Sequence, residues 1–170
     1  MTRLLLPLEH TSNAAELGDD DLLWRLNRLP RRVQQVFLLS RLDQQSFSSI
    51  AQRLDLPCAA IERHMNQVLQ TAQQARSTIT REACQWYVRL QSPDVTASER
   101  IDFRRWLDAT PHHLQAFHDT ELRWRTLLAP AQLLGHGQWY RQPWAALSLG
   151  GCSVVIGLGL AALLAIGFWS

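Results

Sequence analysis

The chain has 170 residues, with 17 arginines, no lysine and 15 acidic residues, a formal net charge of +2. That length allows one or two small domains. No paired carboxylates, no nucleophile beside a base and no glycine-rich phosphate loop appear, which excludes the common enzyme classes and leaves no cofactor to expect.

The near balance hides an asymmetry. Residues 1–21 carry five acids and one arginine, 22–76 carry eight arginines and three acids, and 77–129 carry seven of each. The basic stretch, net +5, is a modest footprint for nucleic acid. Cys58, Cys84 and Cys152 lie far apart and form no metal-binding spacing. His112 and His113 are adjacent and cannot share a helix face with a third ligand, so no metal is expected.

The acidic start, 1–21, reads as flexible. Its "MTRLLLPLEH" lacks the long apolar region and small-residue cleavage site of a secretory signal, so this end is expected in the cytoplasm.

From residue 22 to 128 glycine and proline are sparse, and apolar residues recur at three and four positions without strand alternation. The fold class is all-α. In "DDDLLWRLNRLP", acids suit a helix start, and Leu22, Leu23, Leu26 and Leu29 make a stripe. In "PRRVQQVFLLSRL", Pro30 suits a first helical position, and Val33, Val36, Phe37 and Leu39 face one core. "SFSSIAQRL" predicts a helix with Ser46 as N-cap and Ile50, Ala51 and Leu54 inward. "DLP" is a turn. "CAAIERHMNQVLQTAQQAR" is the next helix, with Ile61, Met65, Val68 and Leu69 or Ala72 inward. Two helices crossing steeply need a small residue at the contact, which Ala51 supplies. The turn asks for positive φ, and Asp55 is one of the few non-glycine residues that tolerates it.

The run Leu26 to Leu69 resembles region 4 of the extracytoplasmic-function (FecI-like) branch of sigma-70 factors. The likeness rests on "LNRLPRRVQQVFLL", "SFSSIAQRLDLP" and the helix after it. Gln34 or Gln35 stands where that family usually has Arg, and Asp55 where it usually has Gly. "IERHM" looks most like the iron-starvation subgroup. The resemblance implies a helix-turn-helix domain over 22–76 whose second helix enters the major groove of a −35 promoter element. Arg63, His64 and Gln67 are the candidates for base edges. Arg31, Arg32 and Arg53 are the candidates for phosphates, and Glu62 opposes them. Region 2 has no counterpart, so the chain is not expected to start transcription by itself.

The second unit is expected over 80–128. "TREACQWYVRLQS" is amphipathic with Trp86 and Leu90 on one face. "TASERIDFRRWLDA" opens with a capping box, Thr96 with Glu99. "TPHHLQAFHDTELRWRTL" has Thr110 as N-cap and Pro111 behind it. Trp86, Trp106 and Trp124 fall once per helix and are expected to meet in one small core. The linker "QTAQQARSTIT" leaves almost no slack, and a continuous helix would fit it. The pattern "EACQWYVRL", "FRRWLDATPHHLQAF" and "RWRTL" resembles the cytoplasmic N-terminal domain of FecR/PupR-type anti-sigma factors. That likeness implies that the unit masks a sigma factor. The tryptophans build its core, and outward arginines such as Arg89, Arg100, Arg104 and Arg105 meet the partner.

Residues 129–143 read as a juxtamembrane linker. "WAALSLGGCSVVIGLGLAALLAIGFW", 144–169, is 26 residues without a charge, longer than the roughly 20 that cross a bilayer core. Trp144 and Trp169 bracket it, as interfacial indoles do. Arg141, Arg123 and Arg125 on the near side place the N-terminal part in the cytoplasm of a bacterial inner membrane. Gly157, Ala161 and Ala165 recur every four positions and could seat a second transmembrane helix; ordinary small-residue content gives the same pattern.

The whole reads as a membrane-anchored regulator of the sigma/anti-sigma type in iron-uptake signalling. Its expected partners are a sigma factor or RNA polymerase, and −35 promoter DNA. The alternative is a membrane-tethered helix-turn-helix regulator with no sigma partner.

Overall fold

The computed structural model describes residues 20–142. The segment 1–19 and the apolar run 144–169, with its expected membrane span, lie outside the described residues. Among the described residues no helix is long and apolar enough to cross a membrane. These residues are all-helical, with no strand.

Helix α1 covers 20–27. It is followed by α2 (Arg31–Arg41), α3 (Phe47–Leu54) and α4 (Cys58–Gln73). Pro30 stands one position earlier than expected, at the N-cap of α2, where its φ of −52° and ψ of 141° are those of the half-in flanking residue. Ser46 caps α3 by accepting from the Ser49 amide. Asp55 closes α3 in the left-handed region at φ 52°, ψ 53°, and the Leu56 amide returns to the Ala51 carbonyl at 3.0 Å. The turn therefore has the positive φ that its sequence demanded. Leu22, Leu26, Val33, Val36, Phe37, Leu39, Ile50, Leu54, Ile61, Met65, Val68, Leu69 and Ala72 are buried together. Each such side chain contributes about 1.5–3 kcal/mol relative to exposure. Arg25 ties α1 to this core by donating to the Thr71 carbonyl at 2.8 Å, at the negative end of α4.

The junction after α4 is a break, not a continuous helix. Gln74 adopts φ 50°, ψ 47°, and the Ala75 amide bonds the Gln70 carbonyl, which ends the helix. Ser77 then caps α5 (Thr78–Arg89) through the Thr80 amide. Next come α6 (Ala97–Ala109) and α7 (Pro111–Thr126). The Thr96–Glu99 capping box is complete, and Thr110 caps α7 with Pro111 in its first turn.

The segment expected as a linker, 129–143, is instead largely folded. Helix α8 (Leu128–Leu134) and a 3-10 stretch, His136–Arg141, turn back onto α2. Leu127, Ala131 and Tyr140 are buried in the same core as α1 to α4, as are Cys84 and Val88 of α5. One apolar core thus runs through both units. The outer helices are shallow by comparison: α6 buries no residue fully, and α7 buries only Thr120.

A helix-turn-helix with its second helix partly covered

The first part of α4 carries the candidate reading residues. Arg63 and Gln67 are exposed, and His64 is half-buried. With Asn66, Gln70, Thr71 and Gln85, Arg63 and Gln67 line an open groove of about 420 Å³ between α4 and α5. Burial first, then the charges of Arg63 and Arg32, hold His64 below its ordinary pKa, which favours the uncharged ring.

The three phosphate candidates all have partners inside the protein. Arg32 donates to the Leu54 carbonyl at 2.7 Å and to Gln35 at 3.2 Å, which satisfies the end of α3. The Arg31 guanidinium lies 4.0 Å from the Trp139 ring centre. Arg53 donates to the Arg141 carbonyl. Gln34 and Gln35, one of which stands where the resembled family usually has Arg, are likewise occupied. Gln34 donates to the Asn27 and Leu29 carbonyls, both at 2.8 Å, closing α1. Gln35 donates to the Tyr140 and Gln142 carbonyls at 2.9 and 3.1 Å.

Glu62 does not face a solvent-filled groove. Arg89 of α5 donates to it at 2.9 Å and to Glu99 of α6 at 2.8 Å. That guanidinium, and then the Thr96 amide and hydroxyl, depress the Glu99 pKa to about 2. Arg89 therefore serves as an intramolecular tie to α4, where the sequence had it facing outward. Arg104 and Arg105 are exposed on α6, as expected of outward residues.

The three tryptophans do not all meet in one core: Trp86 and Trp106 share Phe103, the latter stacked on it at 6.3 Å, and Trp124 stands apart. Trp86 packs on Phe103 at 5.6 Å, and Phe103 packs on Phe117 at 4.9 Å. Trp106 stacks on His113 at 4.6 Å and donates its indole N–H to Glu82 at 2.9 Å. Trp124 turns the other way, edge-on to Phe37 of α2 at 6.1 Å, with the Arg41 guanidinium 5.0 Å from its ring. Tyr87 bridges Phe117 and Trp124 at 6.1 and 6.2 Å. An aromatic line thus crosses from the second unit into the first. Phe37, Tyr87, Phe103 and Phe117 carry it, and the tryptophan spacing alone did not reveal them.

Residues 20–71 match the family described as Sigma-70, region 4. A sigma-70 region 4 domain occupies the first unit. Region 4 domains contact RNA polymerase and −35 promoter DNA, which points to a sigma-factor-type DNA-binding or regulatory role. Residues 81–122 match a second family, described as Domain of unknown function (DUF4880). No curated protein and no solved structure matches the chain.

Proposed function

We propose that the chain is a membrane-anchored transcription regulator of the sigma/anti-sigma type, in which a region 4 domain and a restraining domain share one polypeptide. The observation that carries this reading is the Arg89 tie. A side chain of the second unit holds an acidic residue on the very helix that region 4 presents to promoter DNA. The shared core and the Phe37–Trp124 contact support it. A short connection gives the two domains a high effective concentration, so pairing is intramolecular.

The restraining role draws on the resemblance of Trp106 to Phe117 and its flanks to FecR/PupR-type domains. The "IERHM" string favours an iron-uptake circuit. The uncharged run 144–169 favours a single pass through the bacterial inner membrane, with the preceding residues cytoplasmic. The exposed face of α6, with Ile101, Arg104 and Arg105, is the surface left for a separate sigma factor or RNA polymerase. No catalytic step or cofactor enters this reading.

A second reading keeps the same anchor but makes the chain a DNA-binding regulator with no sigma partner. The exposure of Arg63 and Gln67 favours it. Affinity purification of the full chain from membranes separates the two. The first reading expects co-purified sigma factor or polymerase, lost in Arg104→Glu/Arg105→Glu. Steeply salt-dependent promoter binding with no protein partner would favour the second.

A further inference from the structure

The segment His136–Gln142 is seated on the helix-turn-helix by a set of contacts that no single helix periodicity encodes. Gly135 makes the close approach possible: a Cβ there would stand 2.6 Å from the Leu42 side chain and 3.0 Å from the Ala131 carbonyl. Gly137 and Gln138, at φ 74° and 54°, then reverse the chain. Trp139 is fixed by its indole N–H on the Leu134 carbonyl at 2.9 Å. Tyr140 is buried, and its hydroxyl donates to Asp43 at 3.0 Å. Arg141 also meets Asp43, through Nη2 at 2.6 Å and Nε at 3.1 Å. Gln35 holds two carbonyls of the segment.

The consequence falls on charge that DNA would need. Arg31 is drawn onto Trp139, and Arg53 onto the Arg141 carbonyl. Each guanidinium is thereby drawn towards the segment, with one face or one N–H committed to it rather than to a phosphate. We propose that residues 136–142 are a latch, and that its docking and DNA binding by the helix-turn-helix exclude one another. Release frees two arginines beside α4. The inference rests on the reading of α4 as a promoter-facing helix. The latch lies immediately before the apolar run, so in that reading an event at the membrane reaches the DNA-facing unit through very few residues.

The test uses the full chain in detergent and a mixed-sequence DNA duplex followed by fluorescence anisotropy over a range of salt. The variant Trp139→Leu/Tyr140→Phe loosens the latch without changing charge, and far-UV circular dichroism checks that its helix content is intact. Trypsin cleavage after Arg141 reports release. The latch predicts faster cleavage there, several-fold tighter duplex binding at low salt, and a log–log salt slope steeper by roughly 1–2 from the added phosphate contacts. Faster cleavage with unchanged affinity and slope would overturn it, as would cleavage no faster than wild type. Co-purification of polymerase or sigma factor, measured on the same variant, fails or succeeds independently. It therefore separates failure of the latch from failure of the sigma/anti-sigma reading.

Discussion

Trp124 of α7 meets Phe37 of α2 edge-on at a ring separation of 6.1 Å, joining the second helical unit to the first. Phe37 is wholly buried, whereas Trp124 is half-buried, so the second unit rests on the first unit's core. Trp124→Ala removes that contact and the ring beneath Arg41. The expected cost is about 2–4 kcal/mol, at or below the usual range for large aromatic truncations because the ring is only half-buried. Urea unfolding of the full chain in detergent checks it. A variant as stable as the wild type would show that the aromatic line does not join the units.

Glu99 gives the second unit an acid sensitivity. Its folded pKa of about 2 lies below its ordinary value of 4.5, so it favours folding above the ordinary value. That contribution declines as pH falls through the window between 4.5 and about 2. Arg89→Gln removes the largest cause of the shift. Stability measured across that window is expected to fall less steeply with acid in Arg89→Gln than in the wild type. Parallel curves would sink the assignment.

Asp55 tests the turn. At φ 52° the side chain occupies a region that costs most non-glycine residues about 1–2 kcal/mol. Asp55→Ala is expected to lose about 1 kcal/mol, and Asp55→Gly about 0 kcal/mol, since glycine removes the strain but loosens the unfolded chain. Thermal or urea unfolding distinguishes them. Equal losses would mean that the turn has another conformation.

Cys84 is fully buried, and burial pushes its thiol up to about 11. Cys58 is half-buried at the start of α4, its thiol raised by burial and then by Asp94 and Glu62. Alkylation of the native chain at mildly alkaline pH is expected to modify Cys58 well before Cys84, as read by peptide mass spectrometry. The reverse order would contradict the packing of α5 on the shared core.

These features were not equally legible in the sequence. The inward residues of α2, α3 and α4, the Ser46, Thr96 and Thr110 caps and the positive φ at Asp55 follow from local spacing and local chemistry, which the sequence displays directly. The fold-back of 128–142 does not. Gln35 and Tyr140 lie 105 positions apart, and nothing periodic links them. Arginine is equally ambiguous: Arg31 and Arg53 would look the same whether they met a phosphate, an indole face or a carbonyl. Tryptophan spacing announced a core without saying which one. Trp124 has both Tyr87 and Phe37 beside it, and only the packing of the units decides that.

The most direct test of the account is a double-mutant cycle on Glu62 and Arg89, using Glu62→Gln, Arg89→Gln and the pair, with stability read from urea unfolding of the full chain. The tie between α5 and α4 is partly screened by solvent, with 16% and 28% of the Glu62 and Arg89 side chains exposed. A coupling of about 0.5–1 kcal/mol is expected after that screening. Additive losses, with no coupling between the two positions, would contradict the claim that the second unit holds α4.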